Sequence, residues 1–258
     1  MKLNFNKFHG TGNDFIIIDN RDNKISTDST TLFKKLCNRN FGIGADGLIL
    51  IHNHKQYDFE MRYYNSDGIE GTMCGNGGRC AFAFAQKAGI VNEKTTFAAS
   101  DGLHSAKQDG DNISLSLNNV SPPVLVNGNH FLNTGSPHYI IPVPNISKVD
   151  VSEMGNKLRW SDHFAPGGTN VNFMESNDKI IKVRTYERGV ENETLSCGTG
   201  ITACAISNRL NGRDGRHDVI VEALGGRLEV SFILEKNSAS SVWLKGPAEF
   251  VFEGEIVV

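Results

Sequence analysis

Two cysteines carry the strongest chemical signal in this sequence. Cys74 opens the segment Cys74-Gly75-Asn76-Gly77, and Cys197 opens Cys197-Gly198-Thr199-Gly200. Each has a glutamate four residues upstream, Glu70 and Glu193, and each is followed by a second cysteine in an apolar, alanine-containing segment. A thiol placed where a Gly-rich turn feeds a helix is favoured as a thiolate, because the helix start carries partial positive charge. The exposed backbone N–H groups of such a turn also form a nest for a carboxylate or a phosphate. Two thiols of this kind, one per half of the chain, suit a reaction that removes a proton from one face of a carbon and returns one to the other face. Two opposed helix N-termini would hold one carboxylate and stabilise the charge that grows on it in an enolate-like transition state. The plain alternative is a pair of buried structural cysteines. That role fits Cys37, Cys80 and Cys204, on an amphipathic helix or inside apolar ones, better than a motif that occurs twice.

The duplication extends beyond the cysteines. Thr11-Gly12-Asn13 resembles Thr134-Gly135-Ser136, Phe41 to Gly44 lines up with Phe164 to Gly167, and Arg62-Tyr63-Tyr64-Asn65 lines up with Arg184-Thr185-Tyr186-Glu187. The offsets are 134 − 11 = 123, 164 − 41 = 123 and 184 − 62 = 122, and the cysteines close the series with 197 − 74 = 123. Solenoid repeats run at roughly 20–50 residues, whereas this period is the size of a domain. The sequence therefore predicts two homologous halves. The first covers 1–120 and carries Cys74, with about 250–258 returning to it; the second covers 121–249 and carries Cys197. Ser121-Pro122-Pro123 is the expected linker.

The elements that must position these motifs follow from periodicity. Strands are expected at Leu3–Phe8, Phe15–Asp19, Gly47–Ile51 and Tyr57–Tyr64, with a helix through Leu32–Cys37 capped by Asp28 or Ser29. A helix should start after Cys74 and stop at Gly89, followed by a meander at Phe97–Ala99, Leu103–Lys107 and Ile113–Leu117. The second half repeats the theme, with strands near Tyr139, Val171 and Val183, a helix at Val151–Leu158 and another after Cys197. Strands at Val219–Ala223 and Arg227–Ile233 join through Gly225-Gly226, and Val242–Leu244 and Phe250–Val258 end the chain. Cys80-Ala81-Phe82-Ala83-Phe84-Ala85 has no polar face and Ile201 to Ile206 nearly lacks one, so both helices should be buried all round. The expected class is α+β (mixed α/β), with two pseudo-symmetric halves, each a curled mixed or antiparallel sheet around a central helix. A doubly wound sheet is the alternative, disfavoured by the many short strands and hairpin turns.

Composition sets outer bounds. The chain has 258 residues, 39% hydrophobic and 21% charged, with a net charge of −3. No basic field points to nucleic acid. The longest aliphatic runs are strand-sized, too short to cross a membrane. The first residues lack the apolar core of a secretory signal. Five cysteines without a C-x-x-C spacing fit neither a disulfide framework nor a zinc ribbon, which points to a reducing cytoplasm.

Further polar residues cluster in the duplicated blocks. Glu187-Arg188 sets a carboxylate beside a guanidinium and aligns with Asn65 of the first half. Asn13, Asn65, Asn76 and Asn170 all sit in Gly-rich turns. Each alone is an ordinary turn residue, but together they offer donors and acceptors to a ligand with ammonium and carboxylate groups. His138 lies at a strand start inside a duplicated block.

These residues together resemble the diaminopimelate epimerase family. The resemblance spans nearly the whole chain and rests on Gly10-Thr-Gly-Asn13-Asp-Phe15, Gly42-Ile-Gly-Ala-Asp46-Gly47, Tyr64-Asn65-Ser-Asp67-Gly68, Met73-Cys74-Gly-Asn76-Gly-Gly-Arg79-Cys80, Gly167-Gly-Thr-Asn170-Val-Asn-Phe, Tyr186-Glu187-Arg188-Gly189 and Glu193-Thr-Leu-Ser-Cys197-Gly-Thr199-Gly. It implies conversion of LL- to meso-diaminopimelate without pyridoxal phosphate or metal, a small diamino dicarboxylate as the ligand, no cofactor, and a homodimer. Carried over, Cys74 and Cys197 become acid and base on opposite faces of Cα. The N–H groups of Gly75, Asn76, Gly198 and Thr199 hold the reacting carboxylate. Asn13 and Glu187 orient the reacting amino end, and Glu187 with His138 sets thiol protonation. Asn65, Asn170 and Arg188 grip the distal head. Two positions depart from the pattern, Gly47 where many members carry Gln and Ser136 where many carry Asn, so distal-head recognition is where this chain should differ. Proline or hydroxyproline racemases and phenazine-type isomerases share the fold. The Tyr186 to Gly189 block argues against the first and the paired cysteines against the second. A silent amino-acid binder would need no paired thiols, and a thiol redox protein would need no carboxylate nests.

Overall fold

A computed structural model describes residues 1–177, 180–210 and 212–258. The chain divides into two units, Met1–Leu115 with Gly246–Val258, and Ser116–Lys245. The first unit begins with β1 (Lys2–Gly10), β2 (Asn13–Asp19), α1 (Thr30–Cys37), β3 (Gly47–His52), β4 (Glu60–Asn65), α2 (Gly75–Lys87), β5 (Lys94–Ala99), β6 (Gly102–Asp109) and β7 (Asn112–Ser116). The second contains β8 (Val124–Val126), β9 (Asn129–Asn133), β10 (Pro137–Pro142), α3 (Val151–Arg159), β11 (Asn170–Ser176), β12 (Ile180–Glu187), β13 (Asn192–Thr194), α4 (Gly198–Arg209), β14 (Gly215–Ala223), β15 (Gly226–Glu235) and β16 (Ser238–Gly246). The last strand, β17 (Glu249–Val257), pairs antiparallel with β1 in the first unit. This is a mixed α+β fold dominated by strands. Among the described residues no helix is long and apolar enough to cross a membrane.

The two units share one connectivity. In the first, β2 and β3 are parallel across α1, with Phe15 opposite Gly47. In the second, β10 and β11 are parallel across α3, with His138 opposite Asn170. The same offset relates both members of these pairs, since 138 − 15 = 123 and 170 − 47 = 123. Each unit continues with an antiparallel neighbour, β4 or β12, then crosses over its central helix to a parallel strand, β5 or β14. An antiparallel meander completes each.

Burial follows from the side-chain alternation of these strands. One face of the first sheet points Ile16, Ile18, Leu48 and Leu50 at Phe33 and Leu36 of α1. Its other face covers α2, which contacts β1, β2, β3, β4, β6 and β17. A strand covered on both faces reads as a continuous apolar run, as β2 and β3 do. In the second unit Val171, Phe173 and Tyr186 pack with Val151 of α3. Ile201, Ala203, Cys204, Ala205 and Ile206 of α4 sit among Val219, Val221, Val230, Phe232 and Leu244.

Some expectations shift in detail. Ser29 occupies the cap position of α1, but its side chain makes no capping bond. The strand expected from Tyr57 begins only at Glu60. His54 Nδ1 accepts bonds from the amides of Gln56 and Tyr57, and its ring stacks on Tyr57, which turns residues 53–57 away from the strand, while Asp58 and Phe59 already bond to β5. The short strands β8, β9 and β13 were not expected.

Candidate active site

Both cysteines stand at the same structural position. Cys74 is the N-cap of α2 and Cys197 the N-cap of α4, each with extended backbone and neither capping its helix through its own side chain. The carbonyls of Cys74 and Cys197 accept the first helical bonds, from Gly78 at 2.7 Å and Ile201 at 2.8 Å. No acidic side chain lies in either first turn. The N–H groups of Gly75, Asn76, Gly198 and Thr199 therefore begin each helix beside a sulfur, the arrangement that attracts an anion.

In the first unit Asn13, Cys74 and Asn76 come together. Asn13 Nδ2 donates to Asp46 Oδ2 at 2.8 Å. Because that carboxylate can only accept, the carboxamide oxygen of Asn13 faces the other way. It lies 3.2 Å from Asn76 Nδ2 and 3.6 Å from Cys74 Sγ. Asp46 is itself held by Arg39 at 2.8 Å, and Arg39 also bonds Asp14. Burial opposes the charge on Asp14, but bonds from Arg39 and Lys7 outweigh it and hold its carboxyl well below the usual carboxylate range.

Beneath this turn lies Arg79, fully buried. Its guanidinium donates to Asn76 Oδ1 at 2.9 Å and to the carbonyls of Gly75 and Pro247, both at 3.3 Å. Burial pushes its pKa down to about 10, which leaves it protonated at neutral pH. Among the described residues no carboxylate pairs with it. A cation this close to the helix N-terminus opposes the helix dipole, so this end of α2 is doubly suited to a negative charge.

The second unit surrounds Cys197 differently. His138, Thr199 and Cys197 are joined, with His138 Nε2 2.9 Å from Thr199 Oγ1 and Thr199 Oγ1 3.6 Å from Cys197 Sγ. Asn172 sets the direction of this chain. Its Nδ2 lies 3.3 Å from the carbonyl of Tyr139, which can only accept, and 3.2 Å from His138 Nδ1. Its oxygen accepts from Thr185 at 2.9 Å. Nδ1 is therefore the acceptor, the ring proton sits on Nε2 and goes to Thr199, and the Thr199 hydroxyl can donate to Cys197. Complete burial pushes the His138 pKa down to about 3, so the ring is neutral. Cys74 thus meets an acceptor and Cys197 a donor.

The remaining predicted residues make contacts within their own units. Asn170 Nδ2 donates to Ser136 Oγ at 3.0 Å and to the carbonyl of Pro137 at 2.8 Å, and its oxygen accepts from the Arg188 amide at 2.8 Å. The Arg188 side chain is exposed, with Nη2 3.5 Å from Ser136 Oγ. Serine at 136 therefore still ties Asn170 to Arg188. Glu187 Oε2 accepts from Thr194 at 2.8 Å. Asn65 is exposed at the end of β4, opposite Gly47.

Three other thiols are set apart. Burial pushes Cys37 up to about 12 and pushes Cys80 and Cys204 up as well. Sequence reasoning missed Asp46, Arg79, Asn172 and Thr185 as members of the site. The available signal was a polar residue, Asn172, between Val171 and Phe173 in an apolar strand, 123 residues after Ile49.

The diaminopimelate epimerase family model matches residues 5–121 and 130–251. The chain belongs to the diaminopimelate epimerase family. A diaminopimelate epimerase of Flavobacterium psychrophilum is 51% identical over 252 residues, covering 97% of this chain and 98% of that protein. One from Aquifex aeolicus is 41% identical over 274 residues, covering 98% of each. Among solved structures, a phenazine biosynthesis protein of Bacillus anthracis aligns over the whole of both chains with a TM-score of 0.79 at 15% identity. A hydroxyproline epimerase of Agrobacterium vitis aligns at 0.74 and 14% identity, covering 99% of this chain and 92% of that one. At such identities these structures share the diaminopimelate epimerase-like fold, and the family membership comes from the sequence relatives.

Proposed function

We propose that this isomerase converts LL-2,6-diaminopimelate to meso-diaminopimelate by two-thiol acid–base chemistry, without pyridoxal phosphate or metal. The observation that carries the reading is the pair of cysteines at matched helix N-caps in a chain of this family. One cysteine, as thiolate, takes the Cα proton. The electron pair left behind delocalises onto the substrate carboxylate, which the amides of Gly75, Asn76, Gly198 and Thr199 hold. The other cysteine, as thiol, returns a proton to the opposite face, so the two sulfurs exchange protonation states in each turnover. The acceptor beside Cys74 and the donor beside Cys197 suit one acid and one base. Asn13 and Glu187 orient the reacting amino group, Glu187 and His138 set thiol protonation, and Asn65, Asn170 and Arg188 bind the distal head. The reading makes the protein a cytoplasmic homodimer serving lysine and peptidoglycan-precursor synthesis.

The test is deuterium incorporation at Cα in D2O with diaminopimelate, and with proline and hydroxyproline as controls. Exchange with diaminopimelate alone is expected. Cys74→Ala and Cys197→Ala should each lose roughly 10²–10⁴-fold or more in epimerisation. Full activity in either variant would rule out the two-thiol mechanism, and exchange only with proline would transfer the enzyme to the racemases.

A further inference from the structure

Gly47 and Gly71 leave a slot that one ring fills. A Cβ at Gly47 would stand 2.5 Å from Tyr63 Cε2, 2.8 Å from the Tyr64 carbonyl oxygen and 3.1 Å from the Tyr63 hydroxyl, and a Cβ at Gly71 would stand 3.0 Å from Cδ1 and Cε1 of the same ring. Phe15 meets that ring edge-on, with centroids 6.0 Å apart. Tyr63 therefore occupies the space that a side chain at position 47 would take, and the slot determines where its hydroxyl goes. That hydroxyl donates to Asn65 Oδ1 at 3.0 Å.

A carboxamide has an accepting end and a donating end, and a neighbour that engages one end chooses which is presented outward. With Oδ1 taken by the phenol, Asn65 keeps both N–H groups for a ligand. Among the described residues nothing accepts from Asn65 Nδ2. Gly47 opposes Asn65 across the ladder, and Asn13 begins the adjoining strand, so all three lie at the same end of the sheet.

We propose that Tyr63 is a positioning residue for substrate recognition, orienting Asn65 so that its amide donates to the distal carboxylate of the diamino dicarboxylate. The inference rests on the reading of Asn65 as a distal-head residue given above. It supplies the physical account of Gly47: the side chain missing there is replaced in space by the phenol of Tyr63, which reaches the same end of the sheet from the neighbouring strand.

Tyr63→Phe is the sharpest test, because it keeps the ring in its slot and removes one hydroxyl. Steady-state kinetics with LL-diaminopimelate should show KM raised about threefold to tenfold, the range for one lost hydrogen bond, with the loss falling on KM rather than on kcat. Asn65→Ala should also raise KM, and adding Tyr63→Phe to it should change KM no further, since the phenol acts through the amide. An unchanged KM in Tyr63→Phe, or full additivity with Asn65→Ala, overturns the proposal while leaving the epimerase reading intact. A wild-type enzyme that exchanges no Cα hydrogen of diaminopimelate overturns both.

Discussion

His138 is held neutral in the native protein by complete burial, and this gives the site a pH signature of its own. Its pKa falls from an ordinary value of 6.5 to about 3 because burial disfavours the charged ring, with the Asn172 bond partly offsetting this and Arg188 adding to it. The unfolded chain then binds a proton that the native chain refuses between pH 6.5 and 3. The contribution is complete above pH 6.5 and is lost as pH falls through that window, since stability rises with pH wherever the unfolded state holds more protons. Between pH 7.5 and 5.0 this one group should cost the native state about 2 kcal/mol. Urea unfolding of wild type and of His138→Gln at the two pH values checks it. The variant should lose less stability on acidification than wild type, and equal losses would show that the ring is not held neutral. His138→Ala should slow epimerisation, because Thr199 would lose the donor that turns its own hydroxyl toward Cys197.

At the scale of elements, the first turn of α4 has to pass directly over the bonds that orient His138. A Cβ at Gly200 would stand 2.4 Å from Asn172 Oδ1 and 3.3 Å from the His138 ring. Asn172 is buried and held by Thr185, so it cannot yield. In the first unit the matching glycine, Gly77, meets the flexible ends of Ile49 and Met61 at 3.3 Å and the Cβ of Cys74 at 3.5 Å, an ordinary contact. Gly200→Ala should therefore cost about 1–3 kcal/mol, as overpacking does, and lower activity about tenfold or more by displacing groups beside Cys197. Gly77→Ala should be milder on both counts. Thermal melts and kcat/KM of the two variants decide it, and equal effects would contradict the account. The glycines themselves were legible in the sequence, as were the duplication, the burial of both central helices and the placing of each cysteine at a helix start. All of these are local patterns or comparisons of one half with the other. The partners of Asn13 and Asn172 were not legible, because each is fixed by the pairing of strands separated in sequence. Asp46 reaches Asn13 only once β2 and β3 pair, and Tyr63 reaches into the place of Gly47 only once β3 and β4 do. Tyr57 left its expected strand for a local reason, the bonds of His54, that strand periodicity does not reveal.

For the whole molecule, the division into units makes the chain termini interdependent. The first unit is discontinuous in sequence, and its closing strand follows the whole of the second unit. β17 pairs with β1 from Lys2–Val257 to His9–Glu249. It also sets Phe252 edge-on to Phe5 at 5.9 Å and Phe250 edge-on to Phe8 at 5.4 Å. Phe5 and Phe8 are buried. Without β17, β1 would expose a ladder edge and two aromatic side chains, a surface prone to wrong pairing. The second unit is continuous and keeps its own core. A chain ending at Lys245 should therefore lose the cooperative unfolding of the first unit while the second unit still melts as a unit. Hydrogen exchange resolved by peptide would show it: amides of β1 to β4 and α2 should lose protection, while those of β10 to β12 and α4 keep theirs. Alkylation followed by mass mapping gives a second reading of the same truncation. Cys80, buried in the intact chain, should become labelled, and Cys204 should stay inert. Protection retained throughout β1 and α2 would mean that the first unit closes without its final strand, and uniform loss across both units would mean that the second cannot stand without the first.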